Sequence, residues 1–353
     1  MKLLTTINRF LPKHKRRIVL YSNLGFRDNV KALYDYLVAN DYHKTYQLVC
    51  LSNNFYSLKK EKGIVYTNIY IGLFYFLFSK YFFYSFGKYP IKPSPKQTVV
   101  NLWHGMPLKK IGNLEDHLKE KDFNYFTHLV SSSDFFTPIM KKAFHATDDQ
   151  IIKVGNVRND ELFKLEKKRK IIWMPTYRDV VNLEEQEILF TLDEGDLTRL
   201  NALLDQHDYT LYIKLHPLEK RPLSITKECK RIQLLSDQDL SDQAISLYEF
   251  LGETAALITD YSSVFVDYYL LNRPIAFTID DLKKYNTDRG FVVENIEDLM
   301  AGAKILTKED LLDFFQDTVN GVDRYQVKRE EINHLLNDIQ GNFCQHLLER
   351  ISL

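Results

Sequence analysis

The chain lacks the signatures of the common nucleotide enzymes. No Gly-x-x-x-x-Gly-Lys-Ser/Thr loop occurs, which argues against an ATPase of that class. No Gly-x-Gly-x-x-Gly follows the first apolar run, which counts against a dinucleotide oxidoreductase. Cysteine is scarce: Cys50, Cys229 and Cys344 are far apart and odd in number, with neither a disulfide framework nor zinc spacing. That usage fits a reducing cytoplasm. Net charge is absent too, with 47 Lys plus Arg against 47 Asp plus Glu, so nothing global points to nucleic acid and any anion site must be local. There is no long apolar segment with a cleavage site near the start, hence no secretory signal. Repeats and low-complexity tracts are missing as well.

What is present is apolar material, 45% of 353 residues, enough for more than one core. Short apolar runs alternate with helical spacing. Ile18–Ser22, Tyr46–Leu51, Tyr81–Phe86, Gln97–Leu102, His128–Ser131 and Ile151–Val154 read as strands, and Asn29 to Ala39 reads as a helix with Val30, Leu33, Tyr34 and Leu37 on one face. After the charged stretch Lys164–Lys170, a plausible linker or domain-edge helix, the alternation restarts at 171–174, 211–215, 231–234, 256–259 and 274–277. From Lys308 the chain turns helical. The expectation is two doubly wound α/β domains, residues 1–163 and 164–330, with 331–353 returning to the first. Ile69–Phe86 is the one membrane-span candidate, but it holds Lys80 and six tyrosines or serines and reads better as a helix followed by a strand. The basic run Lys13, Lys15, Arg16 and Arg17 either solubilises the start or touches an anionic membrane surface.

Ligands of open α/β sheets bind beyond the carboxyl ends of the strands. Four ends here carry useful polar groups. Strand 256–259 runs into Asp260-Tyr261-Ser262-Ser263, where hydroxyls at a helix start either hold an anion or cap the helix. Strand 171–174 runs into Pro175-Thr176-Tyr177-Arg178-Asp179, and strand 211–215 into His216-Pro217. Strand 97–102 runs into Trp103-His104-Gly105, followed by Lys109 and Lys110. Together they describe a cleft lined with groups suited to phosphate. Each has a plainer alternative. His104 is either a general base beside a glycine that admits close approach or a ring bonded to nearby backbone. Arg178 could pair with Asp179, Arg289 with Asp288, and Lys109 could belong to a solvated helix start.

At these residues the sequence resembles the CDP-glycerol glycerophosphotransferase family, the primases and polymerases of teichoic acids and related capsule polymers. The pattern Trp-His-Gly-Thr-Pro-Leu-Lys is met by Trp103–Lys109, with Met106 for Thr. Pro-Arg-Asn-Asp is met by 157–160, with Val157 for Pro, and Pro-Thr-Trp-Arg-Asp by 175–179, with Tyr177 for Trp. Leu215–Pro217, Ile258–Val264 and Arg289–Phe291 match unchanged, and Asn337–Gly341 gives the Asn-Asp-x-x-Gly turn. The motifs keep their order across about residues 18–351. Met106 removes a hydroxyl from the first-domain loop, which bears on the acceptor.

The resemblance implies a GT-B-like fold, two Rossmann-like domains facing a cleft. The donor, CDP-glycerol or CDP-ribitol, would lie on the second domain. The acceptor, a hydroxyl of a lipid-linked or polysaccharide polymer, would lie on the first. It further implies that His104 is the general base, with His216 also catalytic. Thr176, Arg178, His216, Asp260, Ser262, Ser263 and Arg289 would hold the donor, Gly105 and Lys109 the acceptor, with Arg158 and Asn159 as further candidates. No metal site is visible, and assistance by soluble Mg²⁺ stays open. The enzyme would be cytoplasmic and peripheral at the inner face of the membrane. Two other readings remain: a GT-B glycosyltransferase using a nucleotide sugar, and a non-catalytic member that binds polymer or nucleotide.

Overall fold

The computed structural model describes residues 2–176, 188–216, 219, 223, 225, 228–288 and 290–353. They form two compact units, Met1–Asp160 with Leu335–Leu353, and Glu161–His334.

The first unit is built on seven parallel strands: β1 (His14–Ser22), β2 (Gln47–Ser52), β3 (Val65–Thr67), β4 (Ser79–Tyr84), β5 (Thr98–Asn101), β6 (His128–Ser131) and β7 (Ile151–Lys153). Their spatial order is β3-β2-β1-β4-β5-β6-β7. The order turns back between β1 and β4, which makes their carboxyl ends the switch point of a doubly wound sheet. The central strands are buried on both faces, as parallel sheets covered by helices must be: Ile18, Val19 and Leu20 are fully buried. Each such side chain stabilises the fold by roughly 1.5–3 kcal/mol. The helix Asp28–Ala39 buries Val30, Leu33, Tyr34 and Leu37, the face its spacing predicts. Residues 69–86 divide into a helix, Ile69–Phe78, and β4. No helix among the described residues is long and apolar enough to cross a membrane.

The carboxyl-terminal segment belongs to this unit. The Asp160 carboxylate accepts from the backbone N–H groups of Phe343 (2.8 Å) and Cys344 (2.9 Å), at the start of the helix Phe343–Arg350. Ser132 Oγ donates to Leu336 O at 2.6 Å.

The second unit has six parallel strands: β8 (Lys170–Trp173), β9 (Thr210–Ile213), β10 (Ile232–Leu234), β11 (Ala256–Thr259), β12 (Ile275–Thr278) and β13 (Ala303–Ile305). Their order is β10-β9-β8-β11-β12-β13, so the switch point lies between β8 and β11. Ile171, Trp173, Ile213 and Ile258 pack with Leu200 and Leu204 of the helix Glu194–Gln206 and with Leu311 and Phe315 of the helix Lys308–Val319. The charged stretch 164–170 is tied into this unit rather than standing apart: Lys168 and Lys170 both pair with the buried Glu253, and Lys164 reaches Glu249 at 3.0 Å.

Candidate functional site

In the first unit the site is built on the turn after β5. Trp103 has φ 55 and Gly105 φ 128, so the chain reverses through left-handed conformations on both sides of His104. For a bulky residue such as Trp103 this costs about 1–2 kcal/mol, and the turn is pinned in return. Asn101 Oδ1 accepts from Trp103 N at 3.0 Å. The fully buried Asn29 donates from Nδ2 to Trp103 O (3.0 Å) and Leu102 O (3.3 Å). Arg158, 6% exposed, donates from Nη1 to His104 O at 3.1 Å and to both Asp28 oxygens at 2.6 and 2.7 Å. Asn29 Oδ1 in turn accepts from Arg158 N at 3.0 Å. Asp28 itself has φ 62. Thus the segment after β1, the turn after β5 and the short helix Val157–Phe163 are locked together.

The His104 ring lies between two aromatic faces. Phe86 is stacked on it at 4.7 Å and 13°, and Trp103 at 4.0 Å and 29°. Each aromatic pair adds about 0.5–1.5 kcal/mol beyond its burial. Burial in this stack pushes the imidazole pKa down to about 4; the Asp28 carboxylate opposes that shift and the Arg158 guanidinium reinforces it. At neutral pH the ring is therefore uncharged, and burial makes it a weaker base than a free imidazole.

The structure thus brings His104, Gly105 and Arg158 together. Asn159 is fully buried in the adjoining helical turn, and Lys109 lies half-exposed a few residues downstream. Sequence reasoning did not single out Asp28, Asn29 or Phe86. The polar run Ser22-Asn23-Leu24-Gly25-Phe26-Arg27-Asp28 after the first strand was the available signal.

In the second unit three neighbouring strand ends meet the solvent edge of the sheet. Thr176 follows β8, His216 follows β9, and Asp260 to Ser263 follow β11. Thr176 N donates to Asp260 Oδ2 at 2.7 Å, and Thr176 Oγ1 donates to Asp260 Oδ1. Asp260 is fully buried, so this pair braces the two ends at the switch point. The following helix is short, Val264–Tyr268, and its N-cap residue Ser263 makes no side-chain capping bond. Ser262 and Ser263 are half-exposed and His216 is exposed.

The Tyr261 ring, buried, lies 4.5 Å from Tyr285 and 5.5 Å from Phe291, and its hydroxyl donates to Asp281 at 2.9 Å. Those aromatics dock the Gly290–Phe291 segment on the turn after β11. Arg178, Tyr177, Pro217 and Arg289 lie outside the described residues. Among the described residues no group of three or more His, Cys, Asp or Glu could hold a metal ion.

A model of the CDP-glycerol:poly(glycerophosphate) glycerophosphotransferase family matches residues 3–353. The chain belongs to this family. Among its glycerophosphotransferase relatives, a teichoic acid glycerol-phosphate primase of Bacillus subtilis (strain 168) is 30% identical over 72% of this chain and 68% of its own length. A teichoic acid poly(glycerol phosphate) polymerase of Bacillus spizizenii is 27% identical over 88% of this chain and 85% of its own. A teichoic acid glycerol-phosphate transferase of Staphylococcus aureus is 30% identical, and the match spans 58% of each chain. The solved wall teichoic acid polymerase TagF superposes with a TM-score of 0.76 at 21% identity, covering 99% of this chain and 92% of that one. The fold is therefore GT-B-like, with two Rossmann-like units, as the resemblance implied.

Proposed function

We propose that the protein transfers glycerol phosphate from CDP-glycerol to a hydroxyl of a teichoic-acid-like acceptor and releases CMP. Membership of the glycerophosphotransferase family carries this reading over a nucleotide-sugar transferase, and the pinned turn that fixes His104 supports an active catalyst over a passive binder. The relatives named above act on teichoic acids, and one TagF structure is of a histidine variant with CDPG.

In the proposed reaction His104 accepts the proton of the acceptor hydroxyl as its oxygen attacks the β-phosphorus. A new O–P bond forms, the bond from that phosphorus to the bridging oxygen breaks, and CMP leaves with the bridging oxygen. A positioned base of this kind contributes about 10²–10⁴-fold. The rest of the acceleration comes from positioning and from charge stabilisation on the phosphoryl oxygens. His216, Ser262, Ser263, Arg178 and Arg289 are assigned to the donor diphosphate. Asp260 and Thr176 are assigned a bracing role instead of direct contact, because the Thr176 hydroxyl proton is directed at Asp260. Gly105 and Lys109 are assigned to the acceptor. Soluble Mg²⁺ is an optional aid, tested by titration with a chelator.

Contact with a membrane surface is part of the proposal. The helix Lys2–Phe10 exposes Leu3 and Phe10, the helix Ile69–Phe78 exposes Tyr70, Ile71 and Phe74, and Lys15 and Arg16 are exposed between them in the chain. Apolar anchors beside basic residues suit an anionic lipid surface. Sedimentation with vesicles that contain or lack anionic lipid checks it.

Relatives that act on ribitol phosphate, a primase of Bacillus spizizenii (27% identical) and the polymerase TarK of Staphylococcus aureus (25% identical), keep CDP-ribitol as a second donor to test. Mass spectrometry of products from CDP-glycerol, CDP-ribitol and UDP-sugars, each with short synthetic acceptors, decides. Glycerol phosphate addition with CMP release is expected. Sugar transfer with UDP release rejects the proposal, as does the absence of any product.

A further inference from the structure

The carboxyl ends of β1 and β4 form the switch point of the first unit, the place where doubly wound sheets take their ligands. The transfer as described makes no use of the groups found there. Ser22, at the end of β1, is fully buried, and Ser85, just past β4, is 3% exposed. Neither hydroxyl has a hydrogen-bond partner among the described residues, although buried hydroxyls are nearly always bonded. Two cations stand in the same segments. Arg27 is exposed, with its guanidinium carbon 5.6 Å from the Phe86 ring centroid, and has no carboxylate partner among the described residues.

Lys88, two residues beyond Phe86, is half-buried, with its ammonium 4.4 Å from the Phe123 centroid and 5.0 Å from that of Tyr125. It too has neither an ion pair nor a hydrogen-bond acceptor among the described residues. Its charged surroundings are Lys92, Lys121 and Asp122, and Asp122 already pairs with Lys92 at 2.7 Å. Burial first, and then Lys121, push the Lys88 pKa down. The two rings and Asp122 offset part of that cost, and an incoming anion would stabilise the half-buried ammonium further. Phe86 links this region to the chemistry, since its ring stacks on His104 at 4.7 Å.

We propose that Arg27, Lys88 and the Ser22 and Ser85 hydroxyls form a binding site for a phosphate of the acceptor, beside the hydroxyl that His104 deprotonates. The site rests on the reading of His104 as the base. The guanidinium offers a fork to two phosphate oxygens, the ammonium a point charge, and the serines neutral donors. A hydroxyl of a polymer that carries phosphate along its backbone would then be steered to the imidazole by its own nearest phosphate. An uncharged polyol of the same length would not be.

The test uses Arg27→Met and Lys88→Met, with CDP-glycerol as donor and two synthetic acceptors. One is a short glycerol-phosphate oligomer and the other an oligoglycerol ether of the same length without phosphate. Each variant is expected to lose about tenfold or more in kcat/KM for the phosphate oligomer, mainly through KM. The preference for the phosphate acceptor then shrinks by the same factor, and Lys88→Arg restores part of it. Donor affinity, measured by calorimetry, stays at the wild-type value. Equal losses with both acceptors overturn the proposal and leave the cations a structural role. A loss of CDP-glycerol affinity also overturns it, by assigning them to the donor. His104→Ala is measured in parallel. Normal turnover by that variant removes the base assignment and the proposal with it. An inactive His104→Ala with unchanged acceptor preference in both methionine variants removes the phosphate site alone.

Discussion

The carboxyl edges of the two sheets are organised by opposite means. In the first unit a single imidazole is stacked between Phe86 and Trp103, and its backbone is held by residues far away in the chain. In the second, hydroxyls and a histidine stand on short turns open to solvent, braced from behind by the Thr176–Asp260 pair and by the Tyr261–Asp281 bond. A general base benefits from a fixed position, which the stack supplies, although its burial also lowers the ring's basicity. A diphosphate carries its own charge and needs several donors that reach out to it. The comparison predicts that substitutions in the first unit act on turnover, and those in the second on donor affinity.

The largest effect is expected from His104→Ala, with turnover falling about 10²–10⁴-fold. Near-normal rates would remove the contrast at its root. Next comes Asp28→Asn, which removes a carboxylate that accepts from the buried Arg158 through both oxygens. Breaking such a pair costs about 3–5 kcal/mol of stability, to be read from denaturant unfolding. Because Asp28 raises the His104 pKa, the acid limb of kcat/KM moves to lower pH in this variant, whereas a purely structural residue would leave the limb in place. Ser263→Ala sharpens the other side: hydrogen bonds to charged groups contribute about 1.5–3 kcal/mol, so CDP-glycerol binding should weaken about tenfold or more with no shift of the pH profile. Unchanged affinity would leave that serine a structural role.

The smallest effect concerns acid stability. With His104 depressed to about 4 from an ordinary 6.5, the unfolded chain binds its proton at higher pH than the folded chain. Stability from this source is complete above about 6.5 and is lost as pH falls towards 4. The unfolding free energy of His104→Gln should be flatter across that window; an identical slope would show that the ring is not buried in neutral form.

How much of this was legible follows from the same contrast. The second unit's edge is written in contiguous runs, so Thr176, His216 and the Asp260–Ser263 turn could be read one strand end at a time. Strands β6 and β11 match their apolar runs, but β3 and β13 were missed. The helix Lys2–Phe10 was not predicted; the basic run that follows it was noted. The first unit's site is mostly non-local. Arg158 meets an Asp28 that lies 130 residues earlier, and no spacing rule encodes that pairing. The absence of a glycine fingerprint after β1 also drew attention from the very segment that supplies Asp28 and Asn29. His104 itself was visible because Gly105 follows it at a strand end, whereas the Phe86 ring that sets its environment comes from the neighbouring strand's exit.

The division of labour between the two units is tested most directly by calorimetric titration of CDP-glycerol into His104→Ala. Affinity equal to that of the wild-type protein, in a variant that has lost turnover, is the predicted result. Loss of donor binding together with turnover would contradict it, because the histidine would then serve the donor's phosphates and not the acceptor's proton.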